Sequence, residues 1–279
     1  MSDYSPFTRL AALAAATLVL AVPQAARAQD AGGPHQDPSG AYTADSSSTV
    51  EPAGEARSEY SFRSRKDSVS WARARRVAEN ANGFRIVVSL QDRHVWAIQG
   101  QDTVLSAPAA VAKGTTLDFD GQQWTFSTPR GVRHVLGKEA DPIWIPPTWL
   151  YAETAKEYGL QLATLHDGER RTLSDGRVLT TRDSLVGVID DNGFEPLPTT
   201  EHIVFDNTLF IPPTSTINRH VKGELGKYRL ILGDGFLLHG TPDKNSIGMA
   251  ATHGCIRLRD DDIQWLYDNV PVGTPVYIY

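Results

Sequence analysis

Short runs of β-branched and aromatic residues, separated by turn-forming residues, recur between residues 84 and 279 and constrain the fold more than any other feature. Arg85–Leu90 and His94–Ile98 are two such runs with three residues between them, which predicts a β-hairpin. The runs at 227–232 and 236–238 flank a Gly-Asp-Gly segment, a second hairpin signal. Helical composition is confined to short stretches at 67–80, 149–158 and 260–268. The chain is therefore expected to be mainly β, with a few short helices.

The amino-acid composition disfavours or excludes several classes of function. The 279 residues include 27 Lys and Arg against 33 Asp and Glu, a net charge of −6, which disfavours a nucleic-acid binder with a basic surface. Hydrophobic residues make up 41% of the chain, which is enough for a packed core. The single cysteine, Cys255, excludes an internal disulfide framework and any metal site that needs several cysteines.

The first sixty residues do not have the pattern of a folded domain. Leu10–Val22 is a short apolar run preceded by Arg9 and followed by Ala26-Arg27-Ala28, which predicts a secretory signal peptide over residues 1–28. An uncleaved anchor is the alternative, but the run is shorter than the ~20 residues that span a bilayer. Residues 29–60 are acidic and poor in branched apolar residues, which predicts a disordered tether. A periplasmic or other extracytoplasmic location follows.

A helical segment is expected at 61–83, with Asp67 as its N-cap. The remaining residues, 84–279, are expected to form one domain. Within that domain, 178–185 and 201–210 are each expected to contain a short strand.

Cys255 lies in the segment Thr252-His253-Gly254-Cys255, and His239 ends an apolar run sixteen residues before it. A thiol attacks a carbonyl as its thiolate, and a neighbouring imidazole or helix N-terminus lowers its pKa. If the two segments lie side by side, His239 takes the thiol proton, and the N–H groups of Gly254 and Cys255 form an oxyanion hole.

Two other interpretations of these residues stay open. A lone cysteine is often a small buried apolar residue. His239, His253 and Cys255 together would supply three ligands to zinc, although neither an HxxxH nor a CxxC spacing supports that site.

The segments around these residues resemble the catalytic domain of the L,D-transpeptidase family of the YkuD type. The resemblance is dense over the last forty-five residues and looser upstream. The matching segments are His239–Thr241, Ser246–Gly248, Thr252–Leu258, Val272–Val276 and, upstream, Val111–Gly114, Thr128–Gly131 and Pro142–Pro147. The resemblance implies a β-sandwich-like catalytic domain of mixed strands over 84–279.

The resemblance also implies a peptidoglycan acyltransferase that needs no cofactor. Cys255 would attack a tetrapeptide stem between meso-diaminopimelate and D-Ala and release D-Ala, with His239 as general base. His253 and Gly254 would position the catalytic groups and line the oxyanion pocket. The acyl group then passes to an amine, which gives a 3→3 cross-link or attaches a wall protein. Carbapenems acylate the same cysteine in many members of the family.

Substrate-binding residues are expected around the loop that joins His239 to Cys255. Arg257 is a candidate for a substrate carboxylate, since a guanidinium suits bidentate contact; an ion pair with Asp260 or Asp261 is the alternative. The aromatic ring of Trp144 is a candidate wall of a peptide groove. The other expected substrate-binding residues are Gly240, Thr241, Ser246, Gly248 and Thr252.

Residues 148–210 carry little of the family's pattern and are expected to form an insertion, or a lid over the cleft. They leave the acyl acceptor open: a stem amine, a wall-attached protein or water. An L,D-carboxypeptidase on the same scaffold would use water. A non-catalytic wall-binding protein is a further alternative, weakened by the presence of both Cys255 and His239. The expected partners are peptidoglycan stem peptides, with no nucleic acid and no membrane span in the mature form.

Overall fold

The structure is a computed structural model, and it describes Phe62 and residues 64–279. The predicted signal peptide and tether, 1–28 and 29–60, lie outside the described residues. The α-helices of the described part are α1 (Arg65–Asn80), α2 (Thr148–Tyr158) and α3 (Asp260–Asn269). None of its helices is long and apolar enough to cross a membrane.

The strands are short and lie between residues 84 and 278, where α2 and α3 interrupt their succession. In chain order they are β1 (Phe84–Ser89), β2 (His94–Gln99), β3 (Asp102–Pro108), β4 (Val111–Ala112), β5 (Thr116–Phe119), β6 (Gln122–Thr125), β7 (Gly131–His134), β8 (Gly137–Ala140), β9 (Ile143–Trp144), β10 (Gln161–Thr164), β11 (Arg171–Thr172), β12 (Val178–Arg182), β13 (Leu185–Asp190), β14 (Gly193–Pro196), β15 (Ile203–Phe205), β16 (Thr208–Ile211), β17 (Val221–Lys222), β18 (Tyr228–Ile231), β19 (Leu237–His239), β20 (Ala250–Thr252), β21 (Ile256–Arg257) and β22 (Pro275–Ile278).

Two sheets share the main hydrophobic core. One has the strand order β3-β2-β1-β22-β7, with β1 and β22 parallel; the other has the order β21-β19-β18-β8, with β19 and β21 parallel. Residues of both sheets and of α3 form a single buried cluster that includes Ile86, Val95, Leu230, Leu238, Ile256 and Ile263. The predicted fold class, mainly β with mixed strands and a few short helices, is confirmed.

This core fixes which side chains of β19 and β21 are available for chemistry. Leu238 and Ile256 are almost fully buried, and burial of each side chain stabilises the fold by about 1.5–3 kcal/mol. Because side chains alternate along a strand, His239 and Arg257 point to the opposite face of the sheet. The reactive residues are thus held by their buried neighbours.

Residues 148–210 form α2 and two further sheets, β10-β16-β15 and β11-β12-β13-β14. The segments 178–185 and 201–210 each contain a strand, as expected, and each strand pairs with the next one in a hairpin, β12 with β13 and β15 with β16. Their two-residue turns, Asp183-Ser184 and Asp206-Asn207, have positive φ at both residues, as type I′ turns require. Neither turn contains glycine, so the local turn signal is weak. A separate buried cluster holds this region together, including Leu165, Leu179, Val186, Val188, Phe205 and Phe210.

The helix ends agree only in part with expectation. Gly159, with φ +65°, ends α2 as expected of a left-handed C-cap. The N-cap of α1 is Ser64 rather than Asp67: the Ser64 hydroxyl accepts a hydrogen bond from the Asp67 N–H at 3.1 Å. The Asp67 carboxylate instead pairs with Arg130, and this contact ties α1 to the domain.

Candidate active site

The two residues predicted to carry the chemistry lie on or next to a pair of parallel strands: His239 ends β19, and Cys255 immediately precedes β21. The pairing of β19 with β21 puts His239 opposite Arg257. Continued back by two residues, this register places Cys255, the residue just before β21, opposite Leu237 at the start of β19. Because side chains alternate along a strand, Cys255 is then on the same face as His239, with Cα atoms about 8 Å apart. No hydrogen bond joins the two side chains; the Cys255 Sγ lies 3.8 Å from the carbonyl oxygen of Gly235.

His239 is held in one tautomer. Its Nδ1 lies 2.6 Å from the carbonyl oxygen of Gly240, which can only accept, so Nδ1 carries the proton and Nε2 has the free lone pair. The side chain is buried, and burial together with the charge of Arg257 lowers its pKa to about 4. At neutral pH the ring is therefore an uncharged proton acceptor, as a general base must be.

Cys255 is half-buried, and its thiol is neutral at rest. Burial raises its pKa, although a hydrogen bond from the Leu237 backbone and the charge of Arg257 act in the opposite direction. The expectation of a thiol pKa lowered by a neighbouring imidazolium is wrong, because the depressed pKa of His239 leaves that ring uncharged. β21 and two further residues separate the sulfur from the start of α3, so the helix N-terminus does not compensate.

Hydrogen bonds fix the turn that precedes the cysteine. The Thr252 hydroxyl accepts from the Gly254 N–H at 3.2 Å and donates to the Cys255 carbonyl at 2.6 Å. The Thr128 hydroxyl donates to the Gly254 carbonyl at 2.9 Å and accepts from a backbone N–H of β4. Of the two expected oxyanion donors, the Gly254 N–H is thus already engaged. Thr128 lies in a segment that matches the family, but no role was predicted for it.

Gly254 itself adopts a backbone conformation that L side chains rarely take, with φ +153°. A Cβ at this position would lie 3.1 Å from Cε1 of Phe236. The position therefore requires glycine both for its φ and for the close approach of the ring.

His253 lies in a cluster built largely by α2. Its ring stacks on Trp149, with centroids 4.1 Å apart and planes 20° apart, and meets Phe126 edge-on at 4.5 Å. Its Nε2 lies 2.9 Å from Glu153 Oε2, and Glu153 Oε1 is 2.7 Å from Lys113 Nζ. Glu153 and Lys113 were not predicted as site residues. The matching segment 111–114 was the only signal for Lys113, and Glu153 had none.

Burial is the largest influence on the ionisation of this cluster. It lowers the pKa of His253, against the opposing effect of Glu153. It also tends to raise the pKa of Glu153, but the contacts with Lys113 and His253 outweigh it, so that pKa is lowered. At neutral pH the pair is a carboxylate and an uncharged imidazole.

Arg257 faces the same surface as His239, but it does not pair with Asp260 or Asp261. Its nearest carboxylate oxygens, on Glu224 and Asp243, are each 3.9 Å away, beyond hydrogen-bond distance. Its Nη1 is 3.5 Å from the Ser246 hydroxyl, and its buried Nε has no hydrogen-bond partner in the described part of the chain. The guanidinium thus forms two long ion pairs, with Glu224 and Asp243, and no hydrogen bond to a carboxylate in the described part of the chain.

The other expected substrate-binding residues take structural positions. The Thr241 hydroxyl accepts from the Asp243 N–H, and the Ser246 hydroxyl donates to the Asp243 carbonyl. Gly240 packs so closely on Gly226 and Asp260 that a Cβ there would clash with Asp260 and press on Gly226.

Gly248 and Trp144 also have backbone partners. The Gly248 N–H donates to the Ala109 carbonyl, and its own carbonyl accepts from Arg93. Trp144 lies on β9 opposite Val221 of β17, with no ring contact or hydrogen bond to Cys255 or His239. Among residues 64–279 and Phe62, no group of three His, Cys, Asp or Glu side chains is placed to hold a metal ion.

This fold and site define a class of β-rich domain in which a histidine ends one strand and a cysteine immediately precedes the neighbouring parallel strand. The profile of the YkuD family, the L,D-transpeptidase catalytic domain, matches residues 83–278. The chain therefore belongs to the L,D-transpeptidase catalytic domain family.

Individual relatives match only part of the chain. It is similar to the probable L,D-transpeptidase ErfK/SrfK of Escherichia coli K12, with 50% identity over 54 residues, or 19% of this chain and 17% of the relative. It is also similar to the probable L,D-transpeptidase YbiS of the same strain, with 46% identity over 52 residues, again 19% and 17%. The matches thus span less than a fifth of the length of these curated relatives.

A solved structure of an L,D-transpeptidase from Xylanimonas cellulosilytica is similar to this chain, and the alignment covers 72% of this chain and 62% of the solved chain. The sequence identity is 16% and the TM-score is 0.37.

Proposed function

We propose that this protein is an exported cysteine L,D-transpeptidase acting on peptidoglycan stem peptides. The observation that carries the proposal is the pairing of β19 with β21, which supports a joint action of His239 and Cys255 on one face of the sheet. The tautomer of His239, with Nε2 as the acceptor, supports its assignment as the base. Membership of the family over residues 83–278 supports the substrate class.

In the first step, His239 Nε2 accepts the thiol proton as the Cys255 sulfur attacks the diaminopimelate carbonyl carbon. The Cys255 N–H stabilises the oxyanion, since the Gly254 N–H is bonded to Thr252. The C–N bond to D-Ala breaks, and His239 returns the proton to the leaving amine. In the second step an amine attacks the thioester, forms the amide and releases the thiol.

Arg257 is the group that we assign to a carboxylate of the donor stem. Its position opposite His239 and the lack of a carboxylate within hydrogen-bond distance in the described part of the chain support this role. A guanidinium fork binds a carboxylate through two parallel hydrogen bonds, which would fix the stem relative to the nucleophile.

We also infer the domain organisation. Residues 1–28 are a cleaved signal peptide, 29–60 a tether, 61–83 a helical segment and 84–279 the catalytic domain. Residues 148–210 form an insertion at the edge of the cleft, which the contacts of α2 with His253 support.

The test is incubation of the mature protein with a disaccharide-tetrapeptide, with products read by mass. Cross-linked dimers and released D-Ala are expected. C255A should form no acyl adduct with the tetrapeptide or a carbapenem. H239A should acylate roughly 10²–10⁴-fold more slowly, the range for a lost general base, whereas H134A, on an exposed strand position, should match the wild type.

Three results would contradict parts of this proposal. An undiminished adduct in C255A would remove the nucleophile assignment. Tripeptide alone would identify an L,D-carboxypeptidase instead of a transpeptidase. Neither product, with no adduct in the wild type, would leave a wall-binding protein.

A further inference from the structure

We propose that Glu153 is a positioning residue: it holds His253 so that the Nδ1 atom of that ring accepts the proton of the acyl-acceptor amine. The inference rests on the proposed function and extends it, because it gives the second step a proton acceptor different from that of the first. It also gives α2, at the start of the 148–210 segment, a role in the chemistry.

The ring of His253 is fixed on several sides. Trp149 covers one face at 4.1 Å, and Phe126 meets the ring edge-on at 4.5 Å. Glu153 binds Nε2 at 2.9 Å and is itself held by Lys113 at 2.7 Å. Rotation of the ring would break the stack and the hydrogen bond together.

The contact with Glu153 also sets the tautomer of His253. Glu153 is a carboxylate whose pKa is lowered by its contacts with Lys113 and His253, although burial opposes them, so its oxygen can only accept. The Nε2 of His253 must therefore carry the proton, which leaves the lone pair on Nδ1. Nδ1 has no hydrogen-bond partner among the described residues, and the His253 side chain is 22% exposed, so an incoming group can reach the ring.

Two imidazoles come from residues near Cys255, one across the sheet and one along the chain. His239 presents Nε2 from the neighbouring strand, because its Nδ1 is bonded to Gly240. His253 presents Nδ1 from two residues before Cys255, at most about 7 Å away between Cα atoms. Acyl transfer to an amine removes one proton from the thiol and, later, one from the amine. The two fixed tautomers provide one acceptor nitrogen for each removal.

The proposed step exchanges a C–S bond for a C–N bond and moves one proton. The amine nitrogen attacks the thioester carbonyl carbon, its N–H proton passes to His253 Nδ1, and the C–S bond breaks to leave the Cys255 thiolate. The imidazolium of His253 then gives its proton to the thiolate. Thioester and amine have become amide and thiol, and both residues return to their starting forms.

The experiment measures the two steps separately in E153Q. Acylation is followed by the D-Ala released in the first turnover from disaccharide-tetrapeptide, and transfer by decay of the thioester as the concentration of the same amine-bearing stem is varied. The acylation rate should stay within about threefold of the wild type. The transfer rate should fall by roughly tenfold or more, because displacement of a general base causes losses of this size. E157Q, an exposed position one turn later on α2, is the matched control and should leave both steps unchanged.

A pH profile distinguishes positioning from a loss of structure. The charged groups that act on His253 are Glu153, which raises its pKa, and Lys113 and Arg257, which lower it. E153Q should therefore move the acidic limb of the transfer step to lower pH, a shift that partial unfolding would not produce. K113M, which leaves Glu153 in place but removes its ammonium partner, should give a smaller loss confined to the transfer step.

The outcomes that contradict the two proposals are distinguishable. If the wild type forms no thioester, the proposed function itself is wrong. If the wild type completes both steps and E153Q transfers at the wild-type rate, or loses both steps equally, then His239 serves both proton removals and Glu153 has no positioning role.

Discussion

Replacement of Gly254 by alanine tests whether the turn before Cys255 is as constrained as its geometry indicates. A side chain at φ +153° is strained, and its Cβ would lie 3.1 Å from Cε1 of Phe236, closer than ordinary contact distance. Backbone strain at such a position costs roughly 1–3 kcal/mol. Displacement of the ring adds about 1 kcal/mol, at the low end of the range for overpacking.

The expected loss in the free energy of unfolding is thus about 2–4 kcal/mol, which lowers the Tm of a domain this size by roughly 4–16 °C. Because Gly254 precedes the nucleophile, its displacement should also misplace the sulfur. A shift of about 1 Å is enough to cost on the order of 100-fold in acylation rate. Urea denaturation and acylation by a carbapenem, followed by mass, measure the two effects.

G273A is the control for this experiment. Gly273 also has a positive φ, +91°, but no described atom lies within 4 Å of the position that an added Cβ would take, and it is far along the chain from the catalytic turn. G273A should lose only the strain contribution and keep the acylation rate. A G254A variant that is as stable as the wild type, or that acylates within twofold of it, would refute this reasoning.

Two further predictions concern ionisable residues. The pKa of His239 is about 4 in the folded protein against about 6.5 in the unfolded chain, so the unfolded chain binds more protons between these values. The free energy of unfolding should therefore fall by about 3 kcal/mol as the pH drops from 7 towards 4. Urea titrations at the two pH values measure this loss, and H239N should lack it. R257K should lower kcat/KM for the tetrapeptide roughly tenfold, mainly through KM, because lysine lacks the guanidinium fork. An equal loss with a donor whose free carboxylates are amidated would contradict carboxylate binding by Arg257.

The parts of the fold that could be predicted from the sequence are those decided by neighbouring residues. The β1–β2 hairpin pairs in the expected region, with Phe84 opposite Gln99 and Ser89 opposite His94. α2 ends at Gly159 because a left-handed C-cap suits glycine. Turns such as Asp183-Ser184 were missed because residues other than glycine adopt positive φ there.

The site was predictable only where the chain itself brings the residues together. The segment 252–255 carries its chemistry in four consecutive residues. The partners of His253 lie far away in sequence: Glu153 is 100 residues upstream. Arg257 likewise approaches Glu224 and Asp243 rather than the nearby Asp260 and Asp261. Such contacts depend on how strands and helices pack, and no local pattern encodes them.

The ionisation of the site follows from one physical cause, burial, acting on groups of opposite charge type. Burial disfavours the charged form of each, so it raises the pKa of the Cys255 thiol and lowers the pKa of His239. The resting pair is therefore a neutral thiol and a neutral imidazole, not a thiolate and an imidazolium. A thiol in this state is less readily oxidised than a thiolate, an advantage for the lone cysteine of the exported protein that we propose. The same state requires that the sulfur be activated only when a substrate carbonyl is in place, with proton transfer to His239 Nε2 accompanying the attack.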